Sequence, residues 1–410
     1  MNKDILIVGG GISGIYSAIE ASNKTSNILL VENERELGGL LRKLKGCELI
    51  CDPNIASSIA YLKILVDKVN SIGIEIWNES YVSNILKEDT LFSVDIITKD
   101  GIKNVKAKSI IIASGFHEKT RNQSFIPGSN PSGISTSSTI LYYVNVLGYL
   151  PTKTCVFYGS TDLSLYAMES LIKANVNVIG VFDDRETPSC LNENIKHKLN
   201  KYNIPLYLSY TVTDVIGKDR VEAIEFSKIK NGIIDENEKI RIDCDSLIIS
   251  QGFIPECKLI ESLNAKMSLW TKGPIVDQNS MTSIDGIFVT GNSLMIHNEI
   301  KTQIINAKEV GINAAKFKQT ERELIDVDFD ENYLYVVPEA IDLSSNLSNI
   351  NFYFRPAKTF NNKTVKVYLN KQIIFSKDYT TLYPPKMENI TLDLKKHDLT
   401  SNSKIMLKIE

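Results

Sequence analysis

The sequence lacks any apolar stretch approaching the ~18 residues of a membrane-spanning helix, so no membrane span is expected. It lacks a Cys-x-x-Cys pair. The six cysteines stand at Cys47, Cys51, Cys155, Cys190, Cys244 and Cys257. That spacing argues against a thioredoxin-type dithiol or a zinc ribbon. The four histidines, His117, His197, His297 and His397, are too dispersed for a local metal cluster, so no metal is expected. Charge of one sign is lacking too: 46 Lys and Arg face 49 Asp and Glu, with no arginine-rich run. This argues against a nucleic-acid-binding surface. Met1-Asn2-Lys3-Asp4 leads straight into a strand without a signal-peptide pattern, so the expectation is a cytoplasmic protein with reduced thiols.

What is present begins at once. Asp4-Ile5-Leu6-Ile7-Val8 is a short apolar run, followed by Gly9-Gly10-Gly11-Ile12-Ser13-Gly14. Ile15 to Asn23 reads as a helix, and Ile28-Leu29-Leu30-Val31 as a second strand ending in Glu32. Strand, Gly-x-Gly-x-x-Gly, helix, strand, acid is the full order of a dinucleotide-binding unit. Gly9 permits the tight turn, Gly11 lets a pyrophosphate approach the backbone, and Gly14 and Ala18 let the helix lie close on the sheet. The helix N-terminus offers N–H groups and a positive dipole end to phosphates. Glu32 stands about 20 residues on, where a carboxylate accepts hydrogen bonds from a ribose.

At 410 residues the chain predicts two or three domains. Residues 55–72 have helical periodicity, 81–86 and 91–98 read as paired strands, and 109–113 as a buried strand ending in Ser114-Gly115. Residues 127–133 form an irregular loop, and 139–147 a helix. The opening pattern then returns. Thr154-Cys155-Val156-Phe157-Tyr158 is a strand, Gly159-Ser160-Thr161-Asp162-Leu163-Ser164 takes the fingerprint position, a helix follows, and residues 176–182 form a strand ending in Asp183-Asp184. Later come a β-rich stretch ending in Ser250-Gln251-Gly252, a strand over 287–289 leading into Gly291-Asn292, and a long helix over about 299–318. Beyond Glu321, short alternating strands between Asn, Pro and Asp turns predict a small all-β domain.

This order of motifs resembles the two-dinucleotide-binding-domain flavoproteins, the pyridine nucleotide-disulfide oxidoreductase-like family. Gly38-Gly39-Leu40-Leu41, Phe116-His117-Glu118, Ile126-Pro127-Gly128, residues 143–151, Gly252-Phe253-Ile254-Pro255 and Gly291-Asn292 with His297 are closest to one subgroup. It comprises FAD-dependent oxidoreductase subunits related to opine oxidase, hydrogen cyanide synthase, dye-linked proline dehydrogenase and the glycerol-3-phosphate dehydrogenase-associated flavoprotein. The resemblance implies an α/β fold with two Rossmann-like domains: an FAD domain over 1–122 and 275–320, an inserted NAD(P)-binding-like domain over 123–274, and a β domain over 321–410. It implies FAD held by Gly9, Gly11, Ile12, Ser13, Gly14, Glu32, Gly38, Gly39, Leu40, Val82, Ala113, Ser114, Gly115, Gly291 and Asn292. It further implies electron transfer through the flavin, working with a second flavoprotein or an iron–sulfur dehydrogenase subunit, or in a homo-oligomer. A stand-alone NADH oxidase or disulfide reductase, and an FAD-stabilised scaffold without catalysis, are the alternatives.

The sequence departs from the family at the second fingerprint, Gly159, Ser160, Thr161, Asp162 and, at the end of the next strand, Asp183. Thr161 and Ser164 replace glycines. Thr161 puts a branched Cβ where a pyrophosphate approaches. Asp183 and Asp184 suit a ribose hydroxyl and repel a 2′-phosphate, so a nicotinamide here would be NAD rather than NADP. Two readings stay open: weakened NAD binding, or a scaffold that has lost its nucleotide. Cys47 and Cys51, three residues apart, read as ordinary thiols. Glu118 and Arg121 read as a structural ion pair. His297, shortly before the late helix, reads either as a proton-moving group near the flavin or as a helix-entry hydrogen-bonding group.

Overall fold

A computed structural model of the chain describes residues 1–45, 57–190, 192–297 and 299–410. Cys47 and Cys51 lie outside the described residues. The chain divides into two compact units: Met1–Gly39, Leu62–Phe116 and Pro255–Glu410 form one, and Leu40–Tyr61 with His117–Ile254 the other.

The first unit is built on strand Asn2–Val8, which is flanked on one side by Ile28–Val31 and on the other by Gly101–Ile112. Glu75–Trp77 extends the sheet on one side, and Ile287–Val289 also pairs with Gly101–Ile112. All these pairings are parallel. Ile28–Val31 and Ile287–Val289 are buried along their whole length, the unbroken apolar signature of strands covered on both faces. The strand Gly101–Ile112 starts well before the expected residue 109. Its polar first half pairs antiparallel with Leu91–Thr98, and its apolar end with the parallel strands. Helices Ile12–Ala21 and Ile300–Lys316 pack together closely: a Cβ on Gly311 would stand 2.4 Å from the Ser17 carbonyl oxygen, and Ser17 Oγ donates to Ala307 O at 2.8 Å.

The β tail packs within the same unit as two sheets. One contains Ala340–Asp342, Leu324–Phe329, Ile405–Ile409, Phe360–Leu369 and Gln372–Leu382; the other contains Tyr333–Val337, Ile350–Pro356 and Glu388–Leu392. The run Phe352-Tyr353-Phe354 breaks the polar–apolar alternation for a physical reason. Successive side chains point to opposite faces. Phe352 and Phe354 enter the core between the tail's sheets, and Tyr353 enters the α/β core with Leu294 and Met295.

The second unit repeats the parallel design in the order Leu206–Leu208, Asn177–Asp183, Thr154–Tyr158, Ser246–Ile249, Ile134–Thr136. Strand Ile134–Thr136 follows the loop directly and is not legible as a strand in the sequence. It leads into a helix at Ser137, two residues before the expected start, which passes into a π-helical stretch over Tyr142–Leu147. Strands Tyr210–Ile216, Ala223–Lys230 and Ile233–Asp243 form a separate antiparallel sheet. Among the described residues no helix is long and apolar enough to cross a membrane.

Phe352→Ala should remove about 3–5 kcal/mol, the usual cost of truncating a fully buried phenylalanine. Urea unfolding followed by circular dichroism checks this, and a loss below about 1 kcal/mol would show that the tail core does not contribute as its burial indicates.

Candidate functional site

In the first unit the strand ends are level. Val8 pairs with Val31 and with Ile112, and Ile112 pairs with Val289. The turns that leave these ends therefore converge, as at the ligand-binding edge of open α/β sheets. Gly9 turns with φ +103, and a Cβ there would lie 2.4 Å from Ala113 O. At Gly14 a Cβ would lie 1.9 Å from Gly9 O, so the helix lies against its own turn. Gly11 differs: a Cβ there would meet nothing within 4 Å. Gly11 is the N-cap of helix Ile12–Ala21 and supplies no side-chain cap. The first-turn N–H groups thus face an open cradle at Gly11, with no side-chain cap from that N-cap.

The other expected residues of the first unit take places around that cradle. Glu32 is buried; its Oε2 accepts the Gly10 N–H at 2.6 Å and its Oε1 the Glu34 N–H at 2.7 Å. Burial raises its pKa above the ordinary carboxylate range, and these N–H donors pull it back. The carboxylate has further lone pairs for ribose hydroxyls. Gly38 N–H donates to Gly10 O at 2.8 Å, and Gly39 brings a bare backbone beside Gly11, where a Cβ would stand 3.2 Å from its Cα. Leu40 opens a short helix, Leu40–Lys43, belonging to the second unit. Val82 is buried two residues after Ser80, whose N–H donates to Glu32 O at 2.9 Å. Ala113 N–H donates to Val8 O at 2.8 Å.

Sequence reasoning missed three residues that tie these turns together. Ser293 Oγ accepts the Gly115 N–H at 2.7 Å and lies 3.2 Å from Ser114 Oγ. Asn306 Oδ1 accepts from Thr290 Oγ1 at 2.8 Å and from the Gly291 N–H at 3.2 Å. Gln303 Nε2 donates to Ser13 Oγ at 2.8 Å. Gln303 and Asn306 are three apart on the late helix and so share a face; that spacing is the signal that could have found them. Gly291 has no room for a side chain, since a Cβ would lie 2.1 Å from Ser13 Oγ. Asn292 Oδ1 accepts the His297 N–H at 2.8 Å.

His297 itself corrects an expectation. Its ring is buried, and neither ring nitrogen has a hydrogen-bond partner among the described residues. Burial, with the Arg355 guanidinium nearby, lowers its pKa to about 3. A buried imidazole with this depressed pKa is neutral near pH 7. Its backbone N–H, rather than its ring, makes the local hydrogen bond. The expected Glu118–Arg121 ion pair is also corrected. Arg121 knits its own loop, donating to Ile126 O, Pro127 O, Gly128 O and Asn130 Oδ1. Buried Glu118 instead accepts from Ser138 N–H at 2.6 Å and Ser250 Oγ at 3.0 Å.

The second fingerprint has the same turn but a different interior. Gly159 turns with φ +110, and its Cβ would meet Ser250 O at 2.0 Å. Ser160, Thr161 and Asp183 are all buried. Thr161 Oγ1 caps its helix by accepting the Ser164 N–H at 3.2 Å. Asp162 opens that helix, Asp162–Lys173. Asp183 Oδ2 accepts the Ser160 N–H at 2.8 Å and the Ser160 hydroxyl, and its Oδ1 accepts the Arg185 N–H at 3.0 Å. The first cradle fits a dinucleotide; at the second, Ser160, Thr161 and Asp183 are buried and hydrogen-bonded within the protein.

Cys155, Cys190, Cys244 and Cys257 are buried free thiols. Burial raises the pKa of all four, Cys244 and Cys257 to about 12. Among the described residues no group of side chains could hold a metal ion.

The profile of the pyridine nucleotide-disulphide oxidoreductase family matches residues 3–311. The chain belongs to that family. It is an FAD-dependent oxidoreductase, and homologues in the family bind FAD and NAD(P). Ferredoxin–NADP reductase 2 of Chloroherpeton thalassium is 23% identical over 327 residues, covering 76% of this chain and 90% of that protein. Thioredoxin reductase of Mycoplasma genitalium is 25% identical over 301 residues, covering 70% and 86%. The crystal structure of T. acidophilum thioredoxin reductase shares the fold, with TM-score 0.61 and 20% identity over 77% of this chain and 98% of that one. The β tail lies beyond the family match.

Gly11→Ala should leave the fold intact, because the space is open, and weaken FAD by about 1–3 kcal/mol, roughly ten- to hundredfold in Kd, because the methyl group enters the cradle. Flavin fluorescence titration of the apoprotein checks it; unchanged affinity would place the cofactor elsewhere. His297 makes a second prediction. Its folded pKa is depressed below its ordinary value, so the neutral ring contributes stability above about pH 6.5 that is lost as the pH falls toward 3. The slope approaches 1.4 kcal/mol per pH unit, about one proton's worth. Denaturant unfolding between pH 7 and 4 should show a shallower slope for His297→Gln; identical slopes would contradict the buried neutral state.

Proposed function

We propose that this oxidoreductase passes electrons between its FAD and a second redox protein, a flavoprotein or an iron–sulfur dehydrogenase subunit. The observation that carries this reading concerns the thiols. The sequence contains no Cys-x-x-Cys, and each of the four described cysteines is buried with a raised thiol pKa. Thiol–disulfide exchange needs an accessible thiolate, and none of these four supplies one. Among the described residues the flavin is then the only redox group for electrons to enter and leave by, and a redox protein that meets it serves as the external carrier. The resemblance to opine oxidase-type and hydrogen cyanide synthase-type FAD subunits, which work in complexes, supports the same reading.

Bound FAD supplies hydride and single-electron chemistry at its ring system. The chain's own residues bind and orient it. The uncapped N–H groups after Gly11 receive the pyrophosphate, and Glu32 accepts from the adenosine ribose. Gly38 and Gly39 let the cofactor pass close to the backbone, near Gly11. Ser114 and Gly115, held by Ser293, close the phosphate side. Gly291 and Asn292, held by Asn306 and the His297 N–H, meet the ribityl chain and orient the ring. The backbone near Val82 would meet the adenine.

Purification from the native cell, with absorption spectra of what accompanies the chain, tests the proposal. A stoichiometric companion with a second flavin or an iron–sulfur spectrum, able to bleach this FAD anaerobically, is expected. A lone yellow protein that turns over NADH with oxygen or a disulfide would overturn it in favour of the stand-alone enzyme.

A further inference from the structure

The two fingerprints are internal copies, and four equivalent positions differ in the same chemical sense, one of them Gly14, which corresponds to Ser164, whose hydroxyl donates to Thr161 O at 2.7 Å. Gly10 corresponds to Ser160, and Gly11 to Thr161. Ala113 corresponds to Ser250, because these are the carbonyls that the first glycine of each turn abuts. Each change adds a hydroxyl, and each hydroxyl bonds to another group of the second cradle. Ser160 Oγ donates to Asp183 Oδ2 and accepts the Ser189 N–H at 3.0 Å. This brings the Arg185–Ser189 loop down on the turn, and Ser189 Oγ also bonds Asp183 Oδ2 at 3.1 Å. Ser250 Oγ donates to Glu118 Oε1 at 3.0 Å, which leaves Thr161 to donate to Ser250 at 2.5 Å. Thr161 in turn accepts the Ser164 N–H. A directed relay therefore runs from the first turn of helix Asp162–Lys173 through two hydroxyls to a buried carboxyl. The second oxygen of that carboxyl accepts the Ser138 N–H in the first turn of another helix.

We infer that the second fingerprint is a self-filled nucleotide site. The Thr161–Ser250–Glu118 relay takes the place of a dinucleotide pyrophosphate, and the Ser160–Asp183–Ser189 cluster that of its ribose. The helix N–H group of Ser164, which a phosphate would receive, is already satisfied, and Asp183, besides two backbone donors like those of Glu32, accepts the hydroxyls of Ser160 and Ser189, which have no counterpart at Glu32. A branched side chain stands at the position of Gly11, where the intact copy keeps open space. Unit 2 thus keeps the fold of a nicotinamide domain while making the ligand's contacts internally, and it binds neither NAD(H) nor NADP(H). This goes beyond the proposed function, since it holds whichever redox protein meets the flavin.

Calorimetric titration of the FAD-loaded protein with NAD⁺, NADH and NADPH tests the inference without relying on flavin reduction. The unsubstituted protein should give no saturable binding up to about 1 mM, the upper end of ordinary enzyme affinities. Thr161→Gly with Ser250→Ala, which restores the residue types of the first copy, should bind NADH at least tenfold more tightly. Thr161→Ser, which keeps the cap and the relay, should behave as the unsubstituted protein. Micromolar binding by the unsubstituted protein overturns the inference whether or not the variants fold. A folded, FAD-loaded double variant that gains no affinity overturns the role given to the relay.

Discussion

The N–H groups at the amino end of helix Ile12–Ala21 govern the rest of the first unit. A helix leaves its first-turn donors without intrahelical partners, and a buried helix end without a partner is costly. Here Gly11 offers no side chain to cap them. The surrounding turns hold that end open instead of closing it. Level strand ends bring Gly9, Glu32, Ala113 and Thr290 together. Ser293, Gln303 and Asn306 then fix the turns that follow. A ligand with two phosphates would complete this arrangement.

The second unit meets the same constraint with the opposite solution. Its helix Asp162–Lys173 begins at the same kind of turn, yet a threonine hydroxyl accepts one first-turn N–H, that of Ser164, from within. One fold thus contains an open and a closed answer to one physical demand. The difference lies in a few hydroxyl-bearing side chains rather than in the backbone, since Gly9 and Gly159 have nearly the same φ, +103 and +110.

Much of this is legible in the sequence because it depends on local rules. Apolar runs of four or five residues mark the parallel strands, and glycine spacing marks the turn. Thr161 betrays the altered second cradle through its branched Cβ alone. What is not legible depends on residues distant in the chain. Ser250 gains its meaning only beside Thr161, 89 positions away. Asn306 matters because the late helix folds back over Gly291. His297 reads from its place in the chain either as a proton-moving group or as a helix-entry hydrogen-bonding group, and its burial beside Arg355 and its N–H bond to Asn292 become visible only in the fold. Strand Ile134–Thr136 escapes because it is only three residues long and takes its register from Leu247–Ile249. The tail's Phe352–Phe354 run makes sense only once both faces of its sheet are seen to be covered.

One cradle is open to a dinucleotide, and the other is inferred to be closed to one. Counting dinucleotides per chain tests this most directly: the protein is equilibrated with FAD and NADH together under anaerobic conditions, and each bound nucleotide is released and quantified. The account predicts one FAD and no nicotinamide nucleotide per chain. Two bound dinucleotides per chain, or a nicotinamide nucleotide in place of FAD, would contradict it.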